Sequence, residues 1–206
     1  MDVDSEMLRW SQTVYGVAHA LHVARSINFG NLNTIIESLR AAEAWNPSVL
    51  GFESNVPAKS FVDGSVKLDG DDHQQVFARL AENIVDVLFV SLAVQADVVI
   101  GYLIEKTGQK APDFLFSKIE WTKSRISEKQ KWAINGLFEV VALRNALVHG
   151  AGSWSETTVQ QLRKAGIEDV DTSARVSLSF GDLFRYRRAL RTVVGELRTL
   201  PADGAV

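Results

Sequence analysis

The sequence predicts an all-α helical bundle, on three observations. The chain has 206 residues with 46% hydrophobic content and only 4 prolines, which is typical of a compact domain rather than a disordered segment. Long segments place apolar residues at helical spacing, and Asp, Ser and Gly stand where helices begin and end. Residues 46–70 interrupt this pattern with two prolines and several Gly and Asp turn signals. We therefore expect one domain over residues 1–206 with an irregular insertion near 46–70.

The first half of the chain predicts two long helices around that insertion. Residues 5–44 read as helix, broken near "NFGNLN" at residues 28–33, where a glycine and three asparagines stand. Within the insertion, Asp63-Gly64 lies between two short β-prone runs and predicts either a hairpin or irregular chain. A second long helix begins at Asp71 or Asp72, both natural N-caps, and ends near Thr107.

The second long helix contains "VDVLFVSLAVQADVVIGYLI", which is apolar enough to suggest a membrane span. Asp86 and Asp97 leave only ten uncharged residues between them, whereas a bilayer needs about 20. A mid-bilayer aspartate also costs about 2.5–3.5 kcal/mol. The segment therefore predicts a buried central helix, and we expect no membrane partner.

The second half of the chain predicts three further helices. A short amphipathic segment follows Pro112, and a helix opens at Ser127 with a capping-box pattern and ends at Gly150. A short helix is expected near 155–165, and "ARVSLSF" alternates as a strand or as extended chain does. The last helix is expected over 182–199, beginning at Asp182.

Composition excludes several kinds of site. The chain has no cysteine, so disulfides, thiolate metal sites and cysteine nucleophiles are excluded. The N-terminal "MDVDSEML" is acidic and lacks an apolar signal region. Together these features favour a cytoplasmic protein.

The segment R-N-A-L-V-H-G, Arg144 to Gly150, places three polar side chains at the end of an apolar helix. One interpretation is a helix C-terminus, where cationic side chains complement the macrodipole and glycine ends the last turn. The other is a catalytic site. On a helical wheel, Asn135, Glu139, Ala142 and Ala146 share a polar or small face, and Arg144 falls on the opposite side, in a core-like position.

Arg144 at such a position needs a partner, because an unpaired buried guanidinium costs several kcal/mol. The candidates are a carboxylate on the second long helix (Glu82, Asp86 or Asp97) or a solvated, anion-binding interface. His149 lies about 140° around the helix from Arg144, so one helix is expected to aim the two side chains poorly at a common point unless the chain turns at Gly150. Two copies of the helix meeting across a two-fold axis bring them together, which predicts a homodimer.

The pattern R-N-x-x-x-H at the end of an apolar helix, followed by glycine, resembles the signature of the HEPN (higher eukaryotes and prokaryotes nucleotide-binding) superfamily. Its context, "VALRNALVHGAG", a variable loop and then "ARVSLSFGDLFRYRRALRTVV", resembles HEPN ribonuclease-type toxins and covers about residues 71–199. The resemblance implies a HEPN-like helical bundle that dimerises around two motifs. It implies a metal-independent endoribonuclease without a cofactor, active as a toxin or in antiviral defence. An RNA 2′-hydroxyl would attack the adjacent phosphate, leaving a 2′,3′-cyclic phosphate and a 5′-hydroxyl.

The resemblance also assigns roles to the motif residues. His149 suits general base or acid catalysis, because imidazole titrates near neutral pH. Arg144 suits the phosphate and its developing charge, and Asn145 would orient the histidine or a phosphate oxygen. Glu139 is either a support for an arginine or histidine or a surface glutamate. Toxins silenced by nucleotidyl transfer carry a tyrosine at the position of Ala151, so that form of antitoxin partnership is in doubt while another antitoxin or defence partner stays open.

RNA is the expected polyanionic partner of the second half of the chain. Residues 1–100 carry 6 Lys/Arg against 13 Asp/Glu, a net of −7, and residues 101–206 carry 16 against 12, a net of +4. Basic residues track phosphates and aromatic rings stack on unpaired bases. The basic residues considered for RNA binding, near Trp121, Trp132 and Tyr186, are Lys123, Arg125, Lys129, Lys131, Arg185, Arg187 and Arg188. The alternative for these residues is a solvated helix face above buried tryptophans.

Two other functions stay open from the sequence. The first is a non-catalytic HEPN adaptor or RNA-binding module, in which Arg144 is buried in an intrachain carboxylate pair and His149 only caps the helix. The second is a nucleotide-binding module, suggested by the name of the superfamily. The position of the Arg144 side chain discriminates the adaptor from the nuclease.

Overall fold

The computed structural model describes residues 1–24, 73–150, 152–167 and 173–201, and every regular element in these ranges is helical. The all-α prediction is confirmed. The predicted insertion near 46–70, its hairpin and the break at residues 28–33 lie outside the described residues. The helices are α1 (Val3–Ala24), α2 (His73–Lys106), α3 (Leu115–Lys123), α4 (Lys131–His149), α5 (Glu156–Lys164) and α6 (Phe180–Arg198), with a 3₁₀ turn over Glu128–Gln130.

The chain divides into two compact units, residues 1–18 with 82–206, and residues 19–81. In the second unit the structure describes residues 19–24 of α1 and 73–81 of α2. The first unit carries the core, in which the largest fully buried side chains include Phe89, Leu92 and Ile100 of α2, with Leu137 of α4 and Leu190 of α6. Buried side chains of α2 recur three or four residues apart, as at Phe89, Leu92, Ala96 and Ile100, so this helix turns one face inwards.

Helix α2 agrees with the prediction of a long central helix. Residues Ala81–Lys106 are long and apolar enough to cross a membrane by length and composition, and 56% of the window is buried inside the protein. A largely buried helix of this composition is typical of a protein core, so the finding is weak support for a membrane span.

Two predicted helix starts are wrong by a few residues. The Ser127 side chain accepts from the backbone N–H of Lys129 and caps the 3₁₀ turn, and α4 begins only at Lys131. The amide of Gln130 accepts from Trp132 instead of closing a capping box. Helix α6 begins at Phe180, because Ser179 forms the capping box with Asp182. Asp182 is thus the third residue of that helix rather than its cap.

The face of α4 predicted to be polar or small is a packed face. Ala142 and Ala146 are 2% and 1% exposed, and a Cβ added at Gly136 would lie 3.1 Å from Ala189 of α6. Small side chains therefore allow α4 and α6 to approach closely. The small side chains of this face therefore serve helix packing.

Glu139 joins the same two helices. Its carboxylate accepts from the Tyr186 hydroxyl at 2.8 Å and from Arg185 at 2.9 Å. Burial and the Glu139 carboxylate raise the pKa of the Tyr186 phenol, so the phenol remains a donor at neutral pH. Glu139 does hold an arginine, but the arginine belongs to α6 and not to the motif.

The "ARVSLSF" segment is extended chain rather than a strand. Residues 175–179 pass the end of α4, where the backbone N–H of Val176 donates to the carbonyl of Gly152 at 2.8 Å. This hydrogen bond brings Arg175 next to the end of the motif helix.

Candidate functional site

Arg144 and His149 meet at the exposed C-terminal end of α4. Nη1 of Arg144 lies 3.2 Å from Nε2 of His149, and the same nitrogen donates to Oδ1 of Asn145 at 3.0 Å. The expectation that one helix separates the two side chains is therefore wrong. The wheel angle describes where Cβ points, whereas the long arginine stem carries its guanidinium towards the helix end.

The contact is a hydrogen bond in only one tautomer of the imidazole. A guanidinium has donors only, so Nε2 of His149 is the acceptor and the ring proton lies on Nδ1. In that tautomer the basic nitrogen of His149 faces the guanidinium of Arg144.

Asn145 acts on the arginine rather than on the histidine. Its side-chain oxygen and Nε2 of His149 both accept hydrogen bonds from Nη1, and these two contacts orient the guanidinium plane. The N–H groups of Nε and Nη2 are free to donate, because no described residue accepts from them. Adjacent donors of this kind match two oxygens of a phosphate.

Arg144 is half-buried, and no carboxylate pairs with it among the described residues. None of the three candidate carboxylates forms an ion pair with Arg144. Asp97 pairs with Lys118 at 2.7 Å, Asp86 interacts with Arg175, and Glu82 is exposed. Arg144 is thus only half-buried and lacks the carboxylate alternative among the described residues, so its charge is available to an anion.

Two glycines shape the turn after the motif. A Cβ at Gly150 would lie 2.2 Å from the carbonyl oxygen of Ser153, so a side chain there would displace the turn. Gly152 has φ +86°, and a Cβ added to it would lie 2.7 Å from Nε of Arg175. Both backbone N–H groups donate to the Ala146 carbonyl, at 3.0 and 2.9 Å respectively. The glycine after the histidine is thus explained by close packing of the turn.

An open cleft of about 360 Å³ adjoins this helix end. Leu147 and Val148 of the motif form one wall, and Val87 of α2 and Val176 of the extended segment contribute others. Arg144 precedes Leu147 and Val148 by three and four residues, so it shares their helix face. The cleft therefore lies against the last turns of the motif helix, whose Leu147 and Val148 line it.

No protein-family model, curated protein or solved structure matches the chain. The site is characterised by its own geometry and by the motif.

Several of the predicted RNA-binding residues contact other residues of the chain. Lys123 lies over the ring of Phe138 at 5.7 Å and Arg125 over that of Trp121 at 3.9 Å. Lys131 pairs with Glu128, while Lys129 is exposed. Trp132 is 47% exposed, so the expectation of buried tryptophans is wrong for this residue.

On α6 the predicted basic residues separate into structural and exposed ones. Arg185 binds Glu139 and Tyr186, and Arg187 donates from Nε to the buried Ser11 hydroxyl at 2.6 Å. Arg188 is exposed. Only Arg188 among these three is therefore suited to bind a phosphate without loss of a contact within the chain.

Two residues near the motif, Asp86 and Arg175, were not predicted to form a site together; the sequence suggested Asp86 only as a partner of Arg144. Both line the cleft. They lie far from the motif along the chain, and only the packing of α2 and the extended segment against α4 brings them there. The signal available in the sequence was the second glycine of "HGAG", which marks a close approach of another segment.

Proposed function

We propose that the protein is a metal-independent endoribonuclease of HEPN type, active in the cytoplasm as a toxin or an antiviral defence effector. One observation supports it above the others. Arg144 and His149 contact each other at an exposed helix end, with the guanidinium unpaired by any described carboxylate. The adaptor alternative needs Arg144 buried in an ion pair, and this arrangement lacks that pair among the described residues.

The proposed chemistry uses the two side chains in sequence. A phosphate accepts from Nε and Nη2 of Arg144 and draws the guanidinium away from His149. Nε2 of His149 then takes the proton of the 2′-hydroxyl. The 2′ oxygen bonds to phosphorus, the bond from phosphorus to the 5′ oxygen breaks, and the charge that develops on the phosphate is stabilised by Arg144.

The leaving 5′ oxygen needs a proton from an acid, and a homodimer supplies one as the imidazolium of a second His149. The support for a dimer is an exposed apolar stripe on α2, where Val87, Val94 and Val98 are 68%, 56% and 51% exposed. Exposed apolar stripes of this kind mark protein interfaces. We place the dimer contact at Val94 and Val98, with the cleft at the Val87 end left open for RNA.

A second candidate function is RNA binding without cleavage. It is favoured by the half-exposed Trp132 beside Lys129 and Lys131, a combination that stacks bases and tracks phosphates. This group begins α4 whereas the motif ends it, so the two lie about 25 Å apart at 1.5 Å per residue. RNA bound at one end would thus reach the other only as an extended strand.

The test is incubation of purified protein with end-labelled RNA in excess EDTA, followed by analysis of the product ends. Cleavage that leaves 2′,3′-cyclic phosphate and 5′-hydroxyl ends supports the nuclease. Binding without cleavage favours the second candidate, and cleavage that requires a divalent cation contradicts the mechanism.

A further inference from the structure

The cleft beside the motif has apolar walls and two opposite charges. Its apolar side chains come from three elements, and its polar ones are an acid from α2 and a base from the extended segment. The side chains that matter are Val87, Val90, Val148, Val176, Asp86 and Arg175. The volume of about 360 Å³ falls in the range of about 300–1,000 Å³ that is usual for small-molecule sites.

This combination matches an unstacked nucleobase. Flat apolar walls accept the faces of the ring, and a protein reads the base through hydrogen bonds to its Watson–Crick edge. The valines offer only dispersion contacts, which every base makes equally well. Any discrimination between bases in this cleft must therefore come from hydrogen bonds to Asp86.

An ionised carboxylate has two acceptors and no donor. Guanine alone presents two adjacent donors on its Watson–Crick edge, N1–H and the 2-amino group. Adenine and cytosine each place an acceptor beside their amino group, and uracil flanks its N–H with two carbonyls. A carboxylate thus pairs bidentately with guanine and meets a repelling acceptor on the other bases.

Asp86 is available for such a pairing. The interactions that act on its carboxylate are burial, the Glu82 charge and the Arg175 charge, and no described residue donates a hydrogen bond to it. Burial and Glu82 raise the pKa of Asp86, while Arg175 opposes them. The charged form of Asp86 is therefore less stable here than in water, and hydrogen-bond donors from a ligand would stabilise it.

Arg175 supplies the second half of a nucleotide site. Its side chain lies against Gly152, where a Cβ would come within 2.7 Å of Nε, so the glycine makes room for it. Its guanidinium suits the phosphate attached to the nucleotide whose base contacts Asp86.

We infer that this cleft is a guanine-selective base site, formed by Asp86 and Arg175 between valine walls, which seats one nucleotide of the RNA beside Arg144 and His149. The inference rests on the proposed function and names the base that the nuclease prefers at its cleavage site. Cleavage is then expected next to guanosine.

The test compares four short oligoribonucleotides that differ in one base at a single position, with wild type, Asp86→Asn, Asp86→Ala and the matched control Glu82→Gln. We expect wild type and Glu82→Gln to cleave next to G about 10-fold or more faster than next to the other bases. Asp86→Ala should lose that preference. Asp86→Asn should shift it towards adenine or cytosine, because an amide pairs with an amino group and its neighbouring acceptor. A merely structural role of Asp86 would not move the preference.

A second measurement keeps the base site testable apart from the nuclease. Ligand-observed NMR with 3′-GMP, 3′-AMP, 3′-CMP and 3′-UMP should show preferential binding of 3′-GMP by wild type and its loss in Asp86→Ala. If wild type cleaves no RNA but binds 3′-GMP selectively, the nuclease fails while the guanine site stands. Cleavage without base preference, a preference unchanged in Asp86→Ala, or equal binding of all four nucleotides would overturn the inference. Tighter binding of GTP than of 3′-GMP would overturn the assignment to an RNA base and indicate a free nucleotide.

Discussion

Nη1 of Arg144 donates to Nε2 of His149 across 3.2 Å, although the two residues stand five positions apart on one helix. The contact joins a fixed cation to a ring nitrogen of an imidazole within a single chain. Pairing of the two side chains thus needs no second protomer, and in our proposal the dimer serves to supply the second imidazole.

Arg144→Lys should lower cleavage roughly 100-fold or more, because lysine keeps the charge but loses the planar pair of donors. The melting temperature should change little in Arg144→Lys and in Arg144→Ala, since Arg144 has no carboxylate partner among the described residues. A change of about 0.5 kcal/mol or less is expected. Cleavage assays beside thermal melts check this. A large loss of stability in Arg144→Ala would indicate the buried ion pair of the adaptor alternative.

Val94→Glu with Val98→Glu should convert a dimer into a monomer of 22.7 kDa, because charges on an apolar interface oppose association. Light scattering at micromolar concentration measures the mass. The rate of RNA cleavage should be lower in the monomeric variant than in the wild type. Leu8→Glu is the matched control, since Leu8 is an apolar side chain of similar exposure, 57%, on α1 rather than on α2. A wild type that is monomeric and fully active would contradict the composite site.

Arg188→Glu should weaken RNA binding and reduce its dependence on salt by about one phosphate contact. Arg187 is a poor probe, because Arg187→Glu breaks its hydrogen bond to Ser11 and should lower stability. Arg9→Glu on the acidic half serves as the control for net charge. The measurement is the affinity for RNA at several salt concentrations. If Arg188→Glu changes neither the affinity nor its salt dependence, this part of α6 does not contact the RNA.

Asp86→Asn should have a higher melting temperature than the wild type at neutral pH, and this difference should disappear in acid. The pKa of Asp86 is raised in the folded protein above its ordinary 3.8, so the folded state binds this proton more tightly than the unfolded chain. The Asp86 contribution to the unfolding free energy therefore falls as pH rises through the interval between the two pKa values. Melts from neutral pH down towards 3.8 check the trend, and a gain that grows in acid would contradict it.

The sequence predicted the helices well because their signals are local. Pro112, Gly150 and the apolar spacing of α2 and α4 act within a few residues, and the predicted C-terminal end of α4 agrees with the structure. The start of α6 was wrong because Ser179 and Asp182 both suit a cap, and only the hydrogen bonds decide between them.

The residues of the motif could be predicted from the sequence, but the arrangement of their side chains could not. A helical wheel places Cβ atoms and says nothing of where a long side chain ends, so the contact between Arg144 and His149 was missed. The partners of Glu139 and Arg187 and the position of Asp86 depend on how helices pack, which a single sequence does not specify.

The most direct test of the central claim is RNA cleavage by His149→Ala in excess EDTA, beside a thermal melt of the same variant. His149 is exposed and follows the last buried turn of α4, so its loss should cost at most about 1 kcal/mol of stability. The loss of a general acid or base should slow cleavage roughly 100- to 10,000-fold. An intact melt with cleavage lost is the result that the account predicts, and full activity of His149→Ala would contradict it.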